Sequence, residues 1–206
     1  MAVLALTACT RVVDANPTAQ VSVAPILAGQ VRDLLSEEAQ KQAVVGVGLY
    51  TSVDPAECAS LVQEANAPLI FDAKPAVNDG GFWSDGAVGI IEIAGVYRSN
   101  YEARDVIETL RRTIDTCQGR TLVSTGDDES DPDSFTLSPP KDSGSPDIVE
   151  WSVVDVPNVW ECDNAFVAAY NAAVFVTACS QLISYDVLTV AEGALTRINK
   201  LVNTVA

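Results

Sequence analysis

Histidine is absent from the 206 residues. Its absence removes Ser-His-Asp and Cys-His catalysis, most zinc sites and the usual general base near neutral pH. Cations are scarce as well: 12 Lys and Arg stand against 28 Asp and Glu, a formal net charge of −16. Nothing here supplies a basic face to neutralise nucleic-acid phosphates, or one to dock on anionic lipid headgroups by charge alone. An acidic surface of this kind serves solubility. No apolar run reaches the length of a bilayer-spanning helix, and no Cys-x-x-Cys pair offers a metal site. Gly46-Val47-Gly48 lacks the preceding strand and third glycine of a dinucleotide fingerprint. The acidic run Gly126 to Asp133 lacks the glycine and the terminal Glu of an EF-hand loop and reads as solvated loop. No cofactor and no metal is expected. Carboxylate-pair hydrolysis and lysine chemistry stay formally open, but the composition leans towards a protein that is not an enzyme.

What is present is enough for a core: 48% of the residues are hydrophobic, ordinary for a folded domain. The five cysteines divide into one and four. Cys9 ends Leu6-Thr7-Ala8-Cys9, which looks like a bacterial lipobox, in which the cysteine is diacylated and becomes the mature N-terminus. The apolar run before it is short for a signal sequence and has no basic start, so the expectation is that translation begins upstream. Residues 1–9 are accordingly a signal remnant and Cys9 the lipidation site. Residues 10–25, with two prolines and no period, form a tether. Residues 26–206 are the folded domain. Cys58, Cys117, Cys162 and Cys179 lie within it. In an exported chain four such cysteines point to two disulfides; four free thiols in a cytosolic protein are the alternative.

Within the domain, Leu27, Val31, Leu34 and Leu35 form an apolar stripe, and Ser36 caps a second short helix carrying Glu37 and Glu38. Asp54-Pro55 predicts a helix start, with Cys58, Leu61, Val62 and Ala65 on one face and Pro68 closing the segment. Asn78 to Gly81 and Asp85-Gly86 are turn chemistry. Ala87 to Arg98 reads as a strand, after which Ser99-Asn100 caps a helix whose stripe runs from Ala103 through Val106, Ile107, Leu110 and Ile114 to Cys117, stopped by Gly119. Arg120 to Ser124, Phe135 to Leu137 and Ile148 to Val156 are strand candidates, and a last amphipathic helix begins near Asp186.

Trp160 to Cys179 admits two structures. A two-residue turn at Tyr170-Asn171 pairs Ala169 with Ala172, Val167 with Val174, Phe166 with Phe175 and Cys162 with Cys179. The cysteines then face each other at a non-hydrogen-bonded position, where a disulfide fits. The rival is an alanine-rich helix from Asp163 to Val174, favoured by propensity. The pairing arithmetic favours the hairpin. Segregated strands joined by short turns, with helices around them, predict an α+β domain: an antiparallel β-sheet with helices packed mainly on one face.

The lipobox, the tether, Cys58, the Ala103-to-Cys117 helix, Trp160-x-Cys162, the Asn171-x-x-Val174-x-Val176-x-Ala178-Cys179 segment and the last helix together resemble the PknH-like extracellular sensor domain family of mycobacteria. The resemblance covers Leu27 to Val202. It implies an extracytoplasmic α+β domain, disulfides Cys58–Cys117 and Cys162–Cys179, and a cleft for an unidentified ligand. Ile114 stands where the family often has Trp, a change that stays apolar. The expected function is a lipid-anchored, ligand-binding sensor without catalysis. Its partners would be a small molecule or envelope component, together with the membrane through the lipid on Cys9. Two alternatives remain: an envelope hydrolase built on carboxylates such as Asp72, Asp79, Asp85 or Glu92, and a structural envelope lipoprotein with no ligand. Glu92, a charge in an apolar strand, reads first as a solvent-facing position on a one-sided sheet.

Overall fold

Strands of the chain assemble into one antiparallel sheet in the computed structural model, which describes residues 24–42, 50–126, 132–139, 141–155, 159–181 and 184–202. Cys9 and its lipobox, most of the tether, Gly46 to Gly48 and Asp127 to Asp131 lie outside the described residues. The strands are β1 (Tyr50–Asp54), β2 (Val77–Asp85), β3 (Val88–Val96), β4 (Thr121–Gly126), β5 (Asp133–Leu137), β6 (Ile148–Asp155), β7 (Trp160–Ala169) and β8 (Ala172–Ser180), in the order β1-β4-β5-β6-β7-β8-β3-β2. The helices are α1 (Glu37–Gln40), α2 (Pro68–Phe71), α3 (Ala103–Cys117) and α4 (Val187–Val202), with 3-10 helices at Ala28–Leu34 and Ala56–Leu61. No helix among the described residues is long and apolar enough to cross a membrane.

The hairpin prevails over the helix between Cys162 and Cys179. Ala169 pairs with Ala172, Val167 with Val174, Phe166 with Phe175 and Cys162 with Cys179, and Tyr170 takes the left-handed conformation at φ 54° that closes the turn. Helix propensity loses because both faces of these strands are buried. Phe166 and Phe175 point into one core layer, Val167, Val174 and Val176 into the other. The alanines that favoured a helix have a packing role: Ala165, Ala169 and Ala172 share the second layer with Ala191 and Ala194 of α4. Small side chains there let helix and sheet approach closely.

The α+β class, the antiparallel sheet and both disulfides are as expected, but the helices divide between the two faces. The Ala56–Leu61 helix, α2 and α3 cover the first, with Leu61, Ile70, Ile107 and Leu110 against Ile91, Ile93, Trp151 and Phe175. The Ala28–Leu34 helix and α4 cover the second, with Leu34, Ala191 and Ile198 against Ile90, Val167 and Val174. The near-continuous apolar runs of β3, β7 and β8 are those of strands covered on both sides. Both disulfides belong to the first face. Cys58–Cys117 joins the Ala56–Leu61 helix to the end of α3, and Cys162–Cys179 crosses from β7 to β8.

Three local expectations change. Asp54 ends β1 opposite Val123, so it caps no helix, and Pro68 opens α2 at its first position instead of closing a segment. Glu102, not Ser99 or Asn100, flanks α3. Asn78 to Gly81 lie in β2, paired to β3, because glycine at 81 makes room for another element. A Cβ there would stand 2.0 Å from the Ala39 carbonyl oxygen at the end of α1. Glycine in a strand marks such a close backbone approach.

Loop-closure entropy assigns about 3 kcal/mol to the short disulfide loop and about 4 to the long one, comparable with the roughly 5–15 kcal/mol that hold an ordinary domain. Cys58→Ser and Cys162→Ser are each expected to lower the melting temperature by about 6–16 degrees in roughly a 180-residue domain, read by circular dichroism. Four titratable thiols in the native protein, or unchanged melting in both variants, would refute the structural role of these bonds.

Candidate functional site

The first face carries an open groove where the Ala56–Leu61 helix and α2 meet the N-terminal half of α3. One compartment, of about 510 Å³, has a floor of Leu69 and Leu110, Val106 at its edge, and walls that include Ser60, Thr109 and Thr113. A second, of about 670 Å³, adjoins it; the two share Ala73, Asp105 and Val106. Volumes of this size are those of small-molecule sites. Lys74, Arg98, Asn100 and Glu102 line the second compartment, together with Tyr97 and Tyr101. The two tyrosine rings stack 3.9 Å apart and within 6° of parallel. The Tyr97 hydroxyl donates to the Ile70 carbonyl at 2.9 Å. The Tyr101 hydroxyl is buried without a hydrogen-bond partner. Burial pushes both phenols well above the usual tyrosine range, so each is a neutral donor.

Sequence periodicity reaches Ala103, Val106 and Leu110 as one stripe, but it does not reach Tyr97, Tyr101, Lys74 or Arg98. Their loops carry no period, and the groove exists only because α2, which ends six residues before β2 begins, folds back beside α3. The usable signal is Val106 itself. It belongs to a core stripe yet stays half-buried, as an apolar residue at the lip of a groove should.

The four carboxylates singled out in the sequence do not come together. Asp72 follows α2 at the first compartment. Asp79, Asp85 and Glu92 lie along β2 and β3, each engaged separately. Asp79 holds Arg32 at 3.1 Å, and Asp85 accepts from Tyr185, whose phenol burial and this acid push upward. Glu92 is not solvent-facing. It is wholly buried because α4 and the Ala28–Leu34 helix cover its face. Its carboxylate accepts from the Ser36 backbone N–H at 2.9 Å and the Trp83 indole N–H at 3.1 Å, and from the Ser36 hydroxyl. The Arg197 guanidinium stands 3.9 Å away. Ser36 meanwhile accepts from the Ala39 N–H at 3.2 Å, as the predicted cap of α1. Glu92 thus anchors a helix start.

A second buried acid on this face, Asp163, accepts from Lys141 at 3.0 Å, the Ser184 hydroxyl at 3.2 Å and the Tyr185 N–H at 2.7 Å, and from the Ser152 hydroxyl. These contacts fix the chain just before α4. Two other carboxyls are raised by burial, Glu161 and Glu64, and Glu64 is the one shifted far. It is 6% exposed, and burial pushes its pKa up to about 7, against the opposing effect of the Tyr50 N–H at 3.4 Å. Its other oxygen lies 3.7 Å from the Cys179 sulfur. Glu64 lines neither compartment of the groove. Among the described residues no cluster of three or more His, Cys, Asp or Glu is placed to hold a metal ion.

Comparison with known proteins places this geometry. The family model for the PknH-like extracellular domain matches residues 17–206. The crystal structure of the extracellular domain of PknH from Mycobacterium tuberculosis superposes with a TM-score of 0.65 at 18% identity, covering 88% of this chain and 98% of that one. An uncharacterized protein from Mycobacterium smegmatis gives a TM-score of 0.34 at 14% identity over 71% of this chain and 75% of that one, too low to carry an argument. No curated protein matches the sequence.

Glu64 makes stability depend on pH in a calculable direction. Its carboxyl holds a proton more tightly folded, near pH 7, than its ordinary value of 4.5 allows unfolded. The folded state therefore binds more protons between those values, and stability falls as pH rises through the window. The cost, on the order of 3 kcal/mol, is fully present above about pH 7. Glu64→Gln should melt several degrees higher than the parent at pH 8 and alike at pH 4.5. Equal differences at both pH values would show that Glu64 does not titrate in this window.

Proposed function

The chain belongs to the PknH-like extracellular domain family, and from that membership we propose that it is an extracytoplasmic sensor domain that binds a small molecule or envelope component without chemically changing it. The observation that carries this reading is the two-compartment groove beside α3, with the stacked Tyr97 and Tyr101 lining its second compartment. An apolar floor with a few converging polar groups is the usual composition of a binding site. Two of the acids that could serve a hydrolase are committed elsewhere: Asp79 to Arg32 and Glu92 to Ser36 and Trp83. The anchor in this proposal is a lipid on Cys9, with residues 10–25 as tether.

Val106 lines both compartments, so Val106→Trp should fill their junction. Native mass spectrometry of the domain purified from its own envelope is expected to show a bound mass that Val106→Trp loses while its melting temperature stays within a few degrees. No bound mass, and no thermal shift across a panel of envelope lipids and glycans, would count against ligand binding. Separately, Cys9→Ser should move the protein from the membrane fraction to the soluble fraction and abolish labelling by an alkyne fatty acid. Unchanged fractionation and labelling would refute lipidation at Cys9.

A further inference from the structure

Charge is distributed unevenly along the groove. Lys74 and Arg98 line only the second compartment. The first is lined by Glu57, Asp72 and Asp105 and by no Lys or Arg. Glu57 is already paired, its carboxylate 2.8 Å from Arg120. Asp72 and Asp105 have no side-chain partner among the described residues. The rest of the lining is mostly apolar: Pro68, Leu69, Val106 and Leu110, with Ala56, Ala59 and Ala73. The Ser60, Thr109 and Thr113 hydroxyls add only short, neutral contacts.

Each class of amphiphile meets this surface differently. An anionic one would bring another negative charge against Asp72 and Asp105, in a chain whose net charge is already −16. A neutral one would bury apolar area but draw the two carboxylates partly out of water with no Lys or Arg lining that compartment to offset the cost. A cationic one gains the apolar burial and supplies the counter-charge, and the field of an acidic protein concentrates cations at its surface. We propose that the first compartment binds a cationic amphiphile, its apolar chain on Leu69, Val106 and Leu110 and its ammonium-type group between Asp72 and Asp105. This rests on the groove being the ligand site and names the chemical class the site selects.

The test compares three probes of equal chain length, decyltrimethylammonium, decyl maltoside and decyl sulfate, each below its micelle concentration. They are titrated into the isotopically labelled full chain carrying Cys9→Ser, which keeps it free of lipid, and followed by amide NMR shifts. Decyltrimethylammonium is expected to bind most tightly and to move the amides of Ser60, Leu69, Val106 and Thr109. In Asp72→Asn/Asp105→Asn its affinity should fall about tenfold at low salt, while that of decyl maltoside stays the same. Decyl maltoside or decyl sulfate binding these residues as tightly as the cation would overturn the charge selection and leave the groove standing as a ligand site. Cation shifts scattered over the acidic surface and indifferent to the double variant would overturn the proposal too. Silence of these amides towards all three probes would count against both the ligand class and the groove.

Discussion

The register of the β7–β8 hairpin is the constraint on which the rest of the molecule depends. A two-residue turn at Tyr170-Asn171 fixes which residues oppose one another, and a slip of one position would exchange the two faces along the whole strand. Both faces are buried, so such a slip would put Phe166 and Phe175 where α4 now packs and would part Cys162 from Cys179. The turn is itself tied down. The Asn171 side chain accepts from the Ile26 N–H at 2.9 Å and donates to the Ile26 and Tyr97 carbonyls at 3.0 and 3.1 Å. One buried amide thus joins the start of the described chain, the end of β3 and the hairpin tip.

The two faces of the sheet are then secured by different chemistry. On the first, two disulfides limit what the unfolded chain can explore, one holding α3 to the Ala56–Leu61 helix and the other β7 to β8. On the second, where there is no disulfide among the described residues, buried acids do the positioning. Glu92 collects Ser36, Trp83 and Arg197, and Asp163 collects Lys141, Ser152, Ser184 and Tyr185. Desolvating such charges offsets much of their attraction. Their effect is therefore geometric: each acid accepts several donors from different segments, and only one arrangement of α1, α4 and the sheet satisfies them all.

Much of this was legible in the sequence where local pattern and tertiary burial agree. The stripe from Ala103 to Cys117 gives α3, Ser36 gives a cap, and the pairing arithmetic gives the hairpin. The readings that changed are those where a contact distant in sequence overrides a local preference. Asn78 to Gly81 has turn composition, yet it is a strand, because the Ala39 backbone needs the space a side chain at 81 would fill. Glu92 looks like a surface charge, yet it is buried, because its partners Ser36 and Arg197 lie 56 residues before it and on the last helix. Helices on both faces were written in the apolar runs 165–169 of β7 and 172–176 of β8, but the turn-rich segments between strands weighed towards a one-sided sheet. The groove was the least legible part, since Tyr101, Lys74 and Arg98 reach it from loops.

The position of the groove follows from the way the first face is clamped. Cys117 is the last residue of α3, and its disulfide to Cys58 brings that end of the helix down onto the Ala56–Leu61 helix. Ile107, Leu110 and Ile114 bury the side of α3 that faces the sheet. Asp105, Thr109 and Thr113 lie on a neighbouring side, facing α2 across the gap. No covalent bond holds the N-terminal half of α3, and no side chain caps its first turn. The helix is therefore fixed at one end and rests on apolar packing at the other. The groove lies beside this free end, with Val106 in the first turn of α3 and Tyr101 just ahead of the helix at its lip.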